Sequence, residues 1–214
     1  MVTIKKAITS GIMIAMGVFA FLSCDVKYVG AFLFSLGLFC VCEYKLNLFT
    51  GMIGYAVENT KANGFKAILD LLKVLLFNII GIAGTCVFLS FTAGQDVIDK
   101  ATNIVETSVT LNLMQLLIKS IMCGIIMLIA VDRYKNCNGM AKYIAVFVGI
   151  PVFILSGYYH SIAYVGYLTL GICGENLSSN VTAPKIIVVI LLAVIGNAIG
   201  SILMRFLTTS KTSE

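Results

Sequence analysis

Charge is scarce in this chain. Only 12% of its 214 residues are Asp, Glu, Lys or Arg, 59% are hydrophobic, and the mean hydropathy is +1.01. A soluble domain of this length cannot hide so much apolar surface in one core, so that class is excluded. Histidine is scarcer still, with His160 alone, and a two-histidine zinc motif of the HExxH kind therefore cannot be built. No convincing carboxylate pair takes its place, which argues against an enzyme and calls for no metal or cofactor. The seven cysteines, Cys24, Cys40, Cys42, Cys86, Cys123, Cys137 and Cys173, form an odd set without metal-ligand spacing. Most fall inside apolar runs, where they read as small fillers.

What is present is hydrophobic length. Hydropathy and charge placement predict an all-α membrane protein with six crossings, roughly 7–23, 29–57, 67–91, 109–131, 143–171 and 185–204. Each falls at or above the lower end of the ~17–25 residues with which a helix crosses ~30 Å of hydrocarbon, the first being the shortest. The first follows Lys5 and Lys6 in the manner of a secretory signal, but the crossings after it favour an uncleaved helix. With both termini inside, the inner segments carry Lys5, Lys6, Lys61, Lys66, Arg133, Lys135, Lys142, Arg205 and Lys211. The outer ones hold Lys27, Lys100 and Lys185 together with Asp25, Asp96, Asp99, Glu106 and Glu175. That bias predicts two cytoplasmic termini in a multi-pass protein of the cell membrane. The formal charge of +5 thus reports topology rather than nucleic-acid binding. Asn176-Leu177-Ser178 and Asn180-Val181-Thr182 match the glycosylation sequon, which has meaning only in a secretory pathway.

Three crossings followed by three more place the second half upside down relative to the first, the arrangement of many transport proteins. The chain then reads as a single domain, 1–214, made of inverted repeats at about 1–91 and 109–205. Matching interruptions support this. In the second crossing, Glu43-Tyr44-Lys45-Leu46-Asn47 breaks a helix that resumes at Leu48-Phe49-Thr50-Gly51. In the fifth, Ser156-Gly157-Tyr158-Tyr159 breaks one that resumes near His160. Backbone that is not helical at membrane depth must be buried in protein or face a wet cavity. An ionisable ring at the second break is a functional-site candidate for the same reason. Gly196 and Gly200 form a small-xxx-small pair, read as a close helix contact.

Three stretches resemble the formate/nitrite transporter family. Ser156-Gly157-Tyr158-Tyr159-His160-Ser161-Ile162-Ala163 is similar to its fifth-span motif, Leu48-Phe49-Thr50-Gly51 to its second-span loop, and Ile195-Gly196-Asn197-Ala198-Ile199-Gly200 to its sixth-span motif. The resemblance implies a homopentamer in the lipid bilayer, each protomer an aquaporin-like pore for a small monovalent anion such as formate, nitrite or hydrosulfide. It implies that His160 is the central histidine, with Thr50 and Asn197 as its hydrogen-bonding partners. It further implies that Phe34, Leu38, Leu48 and Phe153 line hydrophobic constrictions.

The chemistry is intelligible from the residues. An anion entering an apolar constriction meets a large desolvation penalty, and its neutral acid a much smaller one. Imidazole, with an unperturbed pKa of about 6.5, can exchange a proton with the solute near neutral pH. In a second reading the pore passes a small neutral solute and His160 only donates a hydrogen bond. An intramembrane enzyme or a non-transporting subunit ranks last. The chain also departs from the family pattern. A lysine common near the start of the fourth span falls around Glu106 to Ser108, and an asparagine further along falls on Gly124. The acidic outer loops weaken attraction at that mouth. Lys45, which can pair with Glu43 or face the pore, and Lys119 are the candidate replacements for solute attraction.

Overall fold

The computed structural model describes residues 2–175 and 177–209. Asn176 of the first sequon and Lys211 of the inner charge set lie outside the described residues. Within them all regular structure is helical: α1 (Ile4–Leu22), α2 (Lys27–Glu43), α3 (Phe49–Met52) running into a 3₁₀ turn (Ile53–Tyr55), α4 (Ala56–Asn63), α5 (Phe65–Ser90), α6 (Gln95–Thr110), α7 (Leu113–Asn136), α8 (Met140–Leu155), α9 (Ser161–Cys173) and α10 (Ala183–Thr208). Four of these, α1, α5, α7 and α10, are long and apolar enough to cross a membrane.

The helices pack in two similar sets. α1 lies along α5 and α2, α7 lies along α10 and α8, and α2 meets α8 at the centre. Bare backbone makes the long contacts close. A Cβ on Gly81 would run into the Ile8 carbonyl oxygen, and one on Gly200 into the Ile121 carbonyl oxygen. Gly196 and Gly200 therefore do form a tight helix contact, between α10 and α7, of the kind small residues permit.

Two boundaries differ from the sequence expectation. Residues 92–108, expected as an outer loop, contain α6, which buries Val97, Ile98, Ala101 and Val105 and packs on α9. Those positions have helical spacing, but the polar residues between them lower the average hydropathy that a crossing search follows. The next helix starts at Leu113 rather than near 109 because Asn112 caps it. Its side chain accepts from Gln115 N at 2.8 Å while Gln115 accepts from Asn112 N at 3.3 Å, a capping box that halts the helix before it.

The interruptions at 44–48 and 156–160 stand where the sequence places them. Around them lies one continuous core that includes Phe34, Leu38, Leu48 and Phe153.

Candidate functional site

Both breaks end their first helix in the same way. After α2, Leu46 N donates to Val41 O at 2.9 Å and Lys45 N to Cys42 O at 3.1 Å. After α8, Tyr158 N donates to Phe153 O at 3.0 Å and Gly157 N to Ile154 O at 3.1 Å. Each is a Schellman termination, which needs one left-handed residue. Gly157 takes it with φ +65° and Lys45 with φ +49°. Glycine does this freely, whereas a lysine there costs about 1 kcal/mol of backbone strain.

Both breaks also resume in the same way, on a buried asparagine from a neighbouring long helix. Asn78 of α5 accepts from Phe49 N at 2.8 Å and donates to Ala7 O at 2.8 Å and Asn47 O at 2.9 Å. Asn197 of α10 accepts from Ser161 N at 2.8 Å and donates to Ser120 O at 2.9 Å and Tyr159 O at 2.8 Å. A broken helix at this depth leaves an amide and carbonyls without partners. One carboxamide, with an acceptor and two donors, meets the amide and a carbonyl of the break and gives its second donor to a carbonyl of a neighbouring helix, Ala7 O in α1 or Ser120 O in α7.

That finding corrects the role expected for Asn197. Among the described residues no hydrogen bond joins it to the His160 ring; it holds the backbone on either side of the ring instead. Thr50 does reach the ring, its Oγ1 lying 2.8 Å from His160 Nε2. The other ring nitrogen, Nδ1, accepts from Ala163 N at 3.0 Å and so caps α9. An accepting Nδ1 bears no hydrogen, which puts the neutral ring's hydrogen on Nε2, donated to Thr50; the tautomer is assigned from this geometry. His160 is 3% exposed and Thr50 fully buried.

Two cavities approach this centre from opposite ends of α2. The first, about 230 Å³, takes in Lys27 at the start of α2 and reaches Phe153 and His160, with Lys119, Tyr158 and Tyr164 on its walls. The second, about 550 Å³, takes in Glu43 at the end of α2 and reaches Val41 and Leu48. Phe34 and Leu38 lie midway along α2, at most 1% exposed. The Phe34 and Phe153 rings meet edge to face, centroids 5.7 Å apart, and Phe153 lies 5.9 Å from the imidazole. Of the four apolar residues singled out in the sequence, Phe153 lies beside the ring and lines the first cavity, Phe34 packs on Phe153, Leu48 lines the second cavity, and Leu38 is buried in the same core.

The positions that depart from the family pattern also have a physical account. A side chain at Gly124 has no room, since its Cβ would lie 2.8 Å from the Asn197 Cα. Thr107, within the stretch where a lysine was sought, lines the first cavity as a neutral residue. The outer carboxylates do not: Asp25 and Asp96 lie on Lys100 at 3.4 and 3.7 Å, and Glu106 accepts from Ser178 N at 2.9 Å. Lys27 and Lys119 are the charges that remain on that cavity's lining. Lys119 donates weakly to Gly157 O at 3.4 Å. Lys45 lines the second cavity, and no ion pair joins it to Glu43 among the described residues. Glu43 instead accepts from the Tyr134 hydroxyl.

Sequence reasoning missed Asn78, and also Lys135, Lys142 and Tyr134 on the second cavity. The signal for Asn78 was available: it is the sole asparagine in the apolar run of α5, as Asn197 is in α10.

Comparison with known proteins agrees with this architecture. A structure described as an FNT family ion channel superposes with a TM-score of 0.84 at 21% identity, covering 97% of this chain and 90% of its own. One described as a pentameric formate channel with formate bound gives 0.82 at 18% identity, covering 95% and 93%. At such identities the likeness speaks to the fold. No curated protein sequence matches the chain. The model of the formate/nitrite transporter family, however, matches residues 1–210. A family match along nearly the whole chain, with apolar helices long enough to cross a bilayer, makes this an integral membrane protein of the formate/nitrite transporter family.

Proposed function

We propose that the protein is a channel or proton-coupled transporter for a small monovalent anion and its conjugate acid, of the formate, nitrite or hydrosulfide class. One observation carries it. A lone imidazole, bonded to Thr50 and 3% exposed, lines the first cavity beside the Phe153 ring, and both cavities bear lysine. The lysines draw in an anion, and Phe34, Leu38, Leu48 and Phe153 penalise its charge, so a proton delivered at His160 changes what crosses. The solved channel that resembles this chain holds formate, which supports the solute class. Its pentameric state supports a homopentamer.

In the same reading the six crossings form two inverted three-helix halves in the cell membrane, both termini cytoplasmic. The paired roles of Asn78 and Asn197, and of the two helix terminations, support that symmetry.

A specific observation favours a second reading of the ring. Because Nδ1 accepts from Ala163 N, protonating the imidazole requires breaking the α9 cap. If that bond stays closed, His160 serves only as a hydrogen-bond donor to a passing neutral acid. Flux of formate into proteoliposomes at several pH values separates the two. Proton exchange predicts a pH-dependent flux in the native protein that flattens in His160→Asn. Equal pH dependence in both proteins would leave the donor reading alone.

A further inference from the structure

A groove of about 910 Å³ runs between α4 and α10, apart from both cavities of the candidate site. Its α10 wall is Ile195, Ile199, Ile202, Leu203 and Phe206, which recur at helical spacing along one face. Opposite them stand Gly54, Val57 and Lys61, again at helical spacing. A Cβ on Gly54 would lie 3.4 Å from the Ser201 Cβ, and one turn further on Glu58 accepts from Arg205 Nε at 2.9 Å. The two walls therefore run side by side.

Charge is confined to one end of this groove, where Glu58, Lys61 and Arg205 line it. Arg205 is answered there by Glu58 and Asp132, each at 2.9 Å. Those two bonds use one N–H on Nε and one on Nη1, so a guanidinium with five donors keeps three. No ion pair joins Lys61 among the described residues. α4 itself buries no side chain and carries Glu58, Asn59, Thr60 and Lys61 in succession, a composition too costly for hydrocarbon. The charged end thus stands at the membrane surface, and the apolar walls lead inward from it. From Ile195 to Thr209 the α10 wall is about 21 Å long at 1.5 Å per residue. One leaflet contributes about 15 Å of hydrocarbon, so the groove spans a single acyl chain and the headgroup level above it.

We propose that this groove binds an anionic phospholipid, with the phosphate on Lys61 and Arg205 and one acyl chain along α10. A headgroup of net negative charge complements the ammonium that no carboxylate opposes, whereas a zwitterionic headgroup brings its own cation. Basic side chains between helices at the membrane surface recognise anionic headgroups in this way. The inference goes beyond the transport reading and depends on neither its solute nor His160.

The test uses full-length protein in detergent, titrated with dioleoyl-phosphatidylglycerol or dioleoyl-phosphatidylcholine and read by native mass spectrometry and thermal unfolding. The native protein should hold phosphatidylglycerol about fivefold more tightly than phosphatidylcholine. Lys61→Gln should abolish that preference, and Lys61→Arg should restore it. Leu203→Asn, in the apolar wall, should weaken both lipids alike. Phosphatidylglycerol should raise the unfolding midpoint of the native protein more than that of Lys61→Gln, and inorganic phosphate alone should raise neither. Lys61 is exposed, so without added lipid its variants should unfold where the native protein does. Equal binding of the two lipids by the native protein, a preference that survives in Lys61→Gln, or an equal midpoint shift from inorganic phosphate would overturn the proposal. So would a groove filled by a second copy of the chain, seen as no lipid adduct on the native protein and loss of oligomer in Leu203→Asn.

Discussion

The side chain of His160 does two jobs that conflict, and the conflict can be tested. Its Nδ1 completes the first turn of α9 through Ala163 N, and its Nε2 holds Thr50. Asparagine is a good N-cap acceptor and cannot titrate, so His160→Asn keeps the cap and removes the proton chemistry. Leucine removes both. His160→Leu should lower stability by about 1 kcal/mol relative to His160→Asn, read as a lower midpoint of thermal unfolding in detergent. Thr50→Val, of similar shape, leaves the ring N–H buried without a partner and should cost about 1–3 kcal/mol. Thr50→Ser should recover most of that loss. A sole histidine in apolar sequence was legible as a candidate site residue. The true partners of Asn197 were not, because a motif names a residue without saying which backbone groups a broken helix leaves unmet.

At the scale of elements, the two breaks are one solution used twice. Each needs a left-handed residue to end the first helix and a carboxamide to receive the second. Asn78 therefore bears the same structural duty as Asn197 while lying on the side of the centre that lacks the imidazole. Asn78→Leu fills the same space but strands Phe49 N and the Asn47 carbonyl, an expected loss of about 1–3 kcal/mol. Asn197→Leu should lose a similar amount, and thermal unfolding of the pair measures both. A tolerated Asn78→Leu would show that water, not the carboxamide, satisfies the first break. The breaks were legible because polar runs such as Glu43 to Asn47 interrupt apolar ones. α6 was not, since its buried stripe is narrow and hydropathy averaging erases it. The start of α7 was misjudged for a simpler reason: the Asn112 and Gln115 spacing is itself a start signal, and apolar length outweighed it.

At the scale of the molecule, the outward faces are as apolar as the core. Phe65, Leu72, Phe88, Ile118, Val148 and Phe206 are all more than 40% exposed in the protomer, far beyond what a soluble monomer displays. Lipid and neighbouring copies are the surroundings such a surface requires, and neither can be told from the other by composition. The proposed pathway is a separate matter, because a single chain supplies both cavities, the Phe34 and Phe153 rings and the imidazole. An assembly of five such chains should then conduct through each protomer independently. Native mass spectrometry should give five times the 23.1 kDa protomer. Pentamers assembled from mixed native and His160→Leu subunits should lose formate flux in direct proportion to the mutant fraction. A shared pore on the assembly axis predicts a different curve, since one defective subunit disturbs the common lumen and flux collapses at low mutant fraction. A proportional loss places the conduit inside the protomer, where Phe153 and His160 meet.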